Sequence, residues 1–208
     1  MDILSETLRY LGYGRNKPDT DTENRVKEAL NTVKNVSSPK TVYITEDIRV
    51  ENGVVYACGL AIKSKNLSKN LAGCKKAVFM AATLGTGADT LIRRLTKTDM
   101  PMAVIADAAA TAVIERYCDD ICAGFREKGY NLRPRFSPGY GDFDIAYQRD
   151  FMNILQCAKK IGLTVTEGLM LAPSKSVTAV MGIGGEEESC ETGGCEVCAK
   201  ADCPYRRD

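Results

Sequence analysis

Two stretches of this 208-residue chain gather residue types that can do chemistry. The first is a run of four cysteines, Cys190, Cys195, Cys198 and Cys203, in "SCETGGCEVCAKADC". Four thiols this dense favour zinc or an iron-sulfur cluster, since thiolates are soft ligands for both. The first three match the C-x4-C-x2-C run of plant-type ferredoxins, while the fourth follows sooner than in that template. A thiol-rich tail without a specific metal is the plain alternative. The second stretch is "RPRFSPGYGDFD", residues 133–144. Pro134 and Pro138 stiffen its backbone, and Gly139 and Gly141 let it approach a ligand or take a positive φ. Arg135 offers a planar fork of donors for a carboxylate, and Tyr140 an aromatic face and a hydroxyl for a cation. Glu115, set between Val113-Ile114 and Tyr117, suits the edge of a pocket and an ammonium group. Together these residues fit a small zwitterion bearing a sulfonium, such as S-adenosylmethionine. The plain alternative is a rigid connection with Arg135 and Glu115 solvated.

Composition narrows the chemistry. The chain has nine cysteines and no histidine. Ser-His-Asp and Cys-His nucleophiles, His-ligated metals and imidazole proton shuttles are therefore excluded. Lys+Arg 28 against Asp+Glu 27 leaves a net charge of +1, too little to draw nucleic acid or an anionic membrane. No segment reaches the roughly 18 apolar residues of a spanning helix, and "MDILSETLRYLGYG" lacks a basic leader region, so we expect no membrane association and a cytoplasmic location. Clustered thiols also fit a reducing compartment.

The elements that must position these residues follow from periodicity. Ile3, Leu4, Leu8 and Leu11 predict one amphipathic helix, and Val26, Leu30 and Val33 a second, capped within residues 19–22. "TVYITEDIRV" and "VVYACGLAI" around "ENG" predict a hairpin. "KAVFMAATL" reads as a buried strand and "GTGADTLIRRL" as a glycine turn entering a helix. A long alanine-rich helix over 102–128 ends at Gly129, and another runs from about Ile145 to Ile161 between Asp144 and Gly162. The segment around Val177, Ala179, Met181 and Ile183 alternates like a half-buried strand. Cys58, Cys74, Cys118, Cys122 and Cys157 lie in apolar surroundings, as small core residues do. Strands and helices do not alternate strictly, so we expect an α+β fold with a mixed or antiparallel sheet over residues 1–185 and a separate Cys-rich tail over 186–208.

"RFSPGYGD" resembles the Arg-x-x-x-Gly-Tyr signature of the activation domain of vitamin B12-dependent methionine synthase. "LAPSKSVTAVMGIG" is similar to that family's closing strand, and "LRYLGYG" to the opening of its short, stand-alone bacterial branch. The resemblance covers roughly residues 3–185. It implies that S-adenosylmethionine binds through Arg135, Ser137 and Tyr140, with Glu115 carried over from an acid on the preceding helix. The sequence departs from the long enzymes after Gly-Tyr, where Gly141-Asp142-Phe143-Asp144 replace Pro-Ala-Cys-Pro-Asp-His.

The implied role is reactivation of a cobalamin-dependent methionine synthase, in which cob(II)alamin takes one electron and the resulting cobalt nucleophile attacks the sulfonium methyl. That chemistry asks the protein for positioning rather than a general base, so a chain without histidine is compatible with it. The chain also lacks the Asp-x-His-x-x-Gly cobalt ligand. Cobalamin must then ride on a partner methionine synthase chain, with a reductant such as flavodoxin or ferredoxin supplying the electron. The chain is expected to be a methyltransferase component inactive without that partner. Three other readings remain at this point: a metal-binding or iron-sulfur electron-transfer adaptor for a corrinoid protein, a non-catalytic sensor of the same ligand, and a Rossmann-type methyltransferase using Gly85-x-Gly87.

Overall fold

The computed structural model describes residues 2–14 and 16–184. Along the chain, α1 (Ile3–Tyr10) and α2 (Thr20–Val36) are followed by β1 (Lys40–Asp47), β2 (Arg49–Glu51), β3 (Val54–Ala57), β4 (Leu60–Lys63) and α3 (Lys65–Asn70). Then come β5 (Lys76–Thr83), α4 (Thr86–Thr98), α5 (Met100–Glu127) and β6 (Asn131–Leu132). After a 3₁₀ turn at Ile145–Tyr147 the chain forms α6 (Gln148–Leu155), α7 (Cys157–Ile161), β7 (Thr164–Val165), β8 (Leu171–Ala172) and β9 (Ser176–Gly184).

The main sheet has the order β1-β5-β9-β6, and every pairing in it is antiparallel. This is the expected α+β class. Successive residues of a strand face opposite sides. Val78, Met80 and Ala82 of β5 therefore join Ala179 and Met181 of β9 under α1, α2, α4 and α5, while Ala77, Phe79, Ala81 and Val180 enter a second core. That second core is closed by α6, α7 and the small β2-β3-β4 sheet, through Phe151, Leu155, Cys157, Val55 and Ile62. Covered on both faces, β9 is buried continuously from Thr178 to Gly182 rather than alternating.

Helix starts follow local chemistry. Asp19 accepts from Thr22 N over 2.8 Å at the head of α2, and Asp99 accepts from Met102 N over 3.0 Å at the head of α5. Along α5, Ala106, Ala109 and Ala110 are almost fully buried, so neighbouring helices approach its backbone closely.

The expected hairpin is broken twice. "TVYITEDIRV" divides at Ile48, β1 joining the main sheet and β2 the small one. "VVYACGLAI" turns back at Cys58-Gly59, both with positive φ, so that Ala57 faces Leu60. The expected long helix from Ile145 is also interrupted, because Gln156 adopts the left-handed region at φ 55 between α6 and α7. Asp144 still caps its start, accepting from Ala146 N over 2.8 Å. The Rossmann reading is overturned by topology, since β5 has antiparallel neighbours on both sides. Gly87 is instead a contact point: a Cβ there would lie 1.9 Å from the carbonyl oxygen of Val36.

Candidate functional site

The loop after β6 continues the edge of the main sheet. Arg133 N donates to Gly182 O over 2.8 Å, and Phe136 and Val180 exchange two backbone hydrogen bonds of 2.9 Å. Strand-like alternation then sends neighbouring side chains to opposite faces. Phe136 packs with the second core, stacked on Phe143. Arg135 turns to the helical face and meets α5.

There its Nη2 donates to Glu115 Oε2 over 2.7 Å and lies 3.0 Å from Asp119 Oδ1. The Arg135 side chain is 18% exposed, Glu115 31% and Asp119 63%. The second guanidinium nitrogen, Nη1, is buried and makes no hydrogen bond. Burial works against the charge on Arg135, yet Cys118, Glu115 and Asp119 together hold its pKa above the ordinary value. One cation thus faces two carboxylates through a single nitrogen, with a buried donor to spare.

Beyond Arg135 the loop closes on itself. Tyr140 N donates to Ser137 O over 3.1 Å, Gly139 N to Phe143 O over 2.7 Å, and Phe143 N to Tyr140 O over 2.9 Å. Phe143 anchors it from beneath among Phe136, Tyr147 and Phe151. Asp142, in the segment that departs from the long enzymes, fastens the loop to α3. Its Oδ1 accepts from Ser64 Oγ over 2.6 Å and Asn66 N over 3.1 Å, and its Oδ2 from Lys65 N over 2.7 Å. Those bonds, Ser64 foremost, hold its carboxyl below the usual range. Gly141 is required here by φ 55 and by Asn66, whose Nδ2 would sit 2.2 Å from a Cβ.

Of the four candidate ligand residues, Glu115 and Arg135 are brought into direct contact. Ser137 is half-buried within the turn, and Tyr140 is 64% exposed with its ring 6.4 Å from Phe136. The Glu115–Arg135 pair, which ties the loop to α5, and the exposed aromatic turn further along the loop are therefore two separate features rather than a single cluster of touching side chains. Sequence reasoning missed Asp119, although its place four residues after Glu115 puts both on one helix face. It also missed Lys175, 13% exposed, whose Nζ lies 2.8 Å from Asp107 Oδ1 and donates to Thr111 Oγ1 over 3.0 Å. Asp107, Thr111, Glu115 and Asp119 recur every four residues, so one polar stripe of α5 meets two largely buried cations.

A cavity of about 460 Å³ lies elsewhere, on the α5 face carrying Val113, Tyr117 and Asp120, and none of the four candidates lines it. Cys74, Cys118, Cys122 and Cys157 are buried and Cys58 is half-buried, and none of these five described cysteines is joined in a disulfide. Burial pushes the Cys118 thiol up to about 12 against the opposing pull of Arg135. Among the described residues no group of His, Cys, Asp or Glu is placed to hold a metal ion, and no helix is long and apolar enough to cross a membrane. Cys190, Cys195, Cys198 and Cys203 lie outside the described residues.

No family model and no curated relative matches the sequence. Among solved structures, the chain superposes on the crystal structure of the MetH reactivation domain bound to AdoHcy with a TM-score of 0.66, at 12% identity, over 90% of this chain and 76% of that one. The chain has the MetH reactivation-domain fold. A motif-level likeness in the loop thus sits within a likeness of the whole fold, although few residues are shared. In this reactivation-domain fold the Arg135 loop runs along the sheet edge beside α5, the longest of the described helices.

Proposed function

We propose that this chain binds S-adenosylmethionine through Arg135, Glu115, Ser137 and Tyr140, and serves as the reactivation component of a cobalamin-dependent methionine synthase supplied on a partner chain in the cytoplasm. The observation that carries the reading is the Arg135 guanidinium, held by Glu115 through Nη2 while Nη1 is buried without a hydrogen bond. A buried donor without an acceptor is unfavourable by about 1–3 kcal/mol, and a ligand carboxylate placed across the guanidinium fork relieves that. Glu115 then faces the ligand ammonium, and the Ser137–Tyr140 turn, rigid beneath and exposed at its aromatic tip, faces the sulfonium side.

The fit to the methyl donor rests on this donor set, and its relation to the neighbour's bound AdoHcy is one of fold. The corrinoid on the partner chain supplies the nucleophile. This chain's task is to bind and orient the donor so that its methyl points outward from the loop. No side chain is asked to move a proton, which suits a sequence without histidine. The reading also assigns the tail, residues 186–208, to zinc or an iron-sulfur cluster held by Cys190, Cys195, Cys198 and Cys203, with flavodoxin or ferredoxin as the electron source.

The test is reactivation in trans. A cobalamin-bearing methionine synthase lacking its own reactivation domain, inactivated to cob(II)alamin, is mixed with a chemical reductant, S-adenosylmethionine and this chain. Recovery of methylcobalamin absorbance that depends on the chain supports the role. Binding of S-adenosylmethionine without any recovery leaves a ligand sensor instead.

A further inference from the structure

The second carboxylate at Arg135 has no part in the reading above, and its geometry sets it apart from the first. Glu115 is the closer and more buried partner, at 2.7 Å, whereas Asp119 is the longer and more exposed, at 3.0 Å and 63% exposure. Both use the same nitrogen, so neither occupies the guanidinium fork. An ion pair whose carboxylate is mostly in water is weak, and such an aspartate loses little solvation when it swings away. Glu115, more enclosed between α5 and the loop, is the partner that stays.

Resting on the assignment of this loop to S-adenosylmethionine, we propose that Asp119 competes with the ligand's carboxylate for Arg135. When an amino-acid carboxylate takes the fork, Asp119 gives up Nη2 and turns to solvent, while Glu115 remains to meet the ligand ammonium. Asp119 therefore lowers affinity for carboxylate-bearing ligands. It makes the site selective for a ligand that also carries a cation, because α5 presents two carboxylates, Glu115 and Asp119, against one guanidinium.

The test is calorimetric titration of the full chain with AdoHcy and with 5′-methylthioadenosine, which lacks the amino-acid end. Asp119→Asn is compared with wild type and with Asp120→Asn. The latter removes the same charge from the next residue, where Asp120 pairs with Arg116 at 2.9 Å and not with Arg135. The expected result is AdoHcy binding tightened roughly two- to five-fold by Asp119→Asn alone, the range of an exposed ion pair, with 5′-methylthioadenosine unchanged. Equal or weaker AdoHcy binding in Asp119→Asn than in wild type overturns the competition while leaving the site intact. So does equal tightening in Asp120→Asn, which would be a general charge effect. Absence of saturable AdoHcy binding in every variant overturns the site assignment, and the competition with it.

Discussion

Ser64 and Asp142 fasten the candidate loop to the start of α3, the serine hydroxyl donating to the carboxylate over 2.6 Å while its oxygen also accepts from Leu67 N at the helix cap. One side chain thus starts a helix and holds a loop at once. Asp142→Asn should lower the melting temperature and weaken S-adenosylmethionine binding together, because the amide offers one acceptor where three donors converge. The bonds depress the Asp142 pKa, so their contribution is present above the ordinary carboxylate range and fades as pH falls through about 4 and below. Thermal unfolding at pH 7 and pH 3 checks this. The gap between wild type and Asp142→Asn should be wide at pH 7 and narrow at pH 3; a pH-independent gap counts against it.

Gly87 separates helix packing from nucleotide binding. Alanine is the better helix former by about 1 kcal/mol, but its Cβ would sit 1.9 Å from the backbone carbonyl oxygen of Val36 at the end of α2. The clash should win, and Gly87→Ala should lose about 1–3 kcal/mol of stability in urea unfolding. A stabilised variant would show that α2 and α4 are not held this closely.

Burial, rather than metal binding, governs the core thiols. With its pKa pushed up to about 12 by burial, Cys118 stays a thiol at pH 8. Alkylation by iodoacetamide, mapped by peptide, should leave Cys118 unmodified in the native protein and modify it fully in denaturant. Rapid native labelling would mean that the α5 surface opens readily.

Phe79 is the largest side chain that β5 places in the second core, 1% exposed and 5.6 Å from the Phe151 ring. Phe79→Ala should cost about 3–5 kcal/mol in chemical denaturation. A loss under 1 kcal/mol would indicate a core that collapses around the gap.

Much of this was legible in the sequence because it is local. The periodic apolar stripes of α2 and α5, the caps at Asp19 and Asp144, and the unbroken apolar run of β5 all state their structure within a few residues. What was missed depends on distant partners. Ile48 divides a continuous β-rich run only because β1 finds β5 while β2 finds β3. Gln156 carries no glycine-like signal for its left-handed turn. The half-buried pattern expected of β9 failed because Val180 enters the second core and Gly182 lies against the side chains of Leu71 and Cys74. Similarly, Arg135 and Glu115 were readable as residue types, but the third partner, Asp119, and the parallel pair Lys175 and Asp107 emerge only once β9 and the loop lie along α5.

The decisive measurement is the calorimetric titration of S-adenosylmethionine into the full chain and into Arg135→Ala, with circular dichroism to establish that the variant folds. Saturable binding by wild type, weakened thirty-fold or more in Arg135→Ala, is the predicted result, since truncating one partner of a desolvated charge pair costs at least about 2 kcal/mol. No saturable binding by wild type, or equal binding by the folded variant, would contradict it.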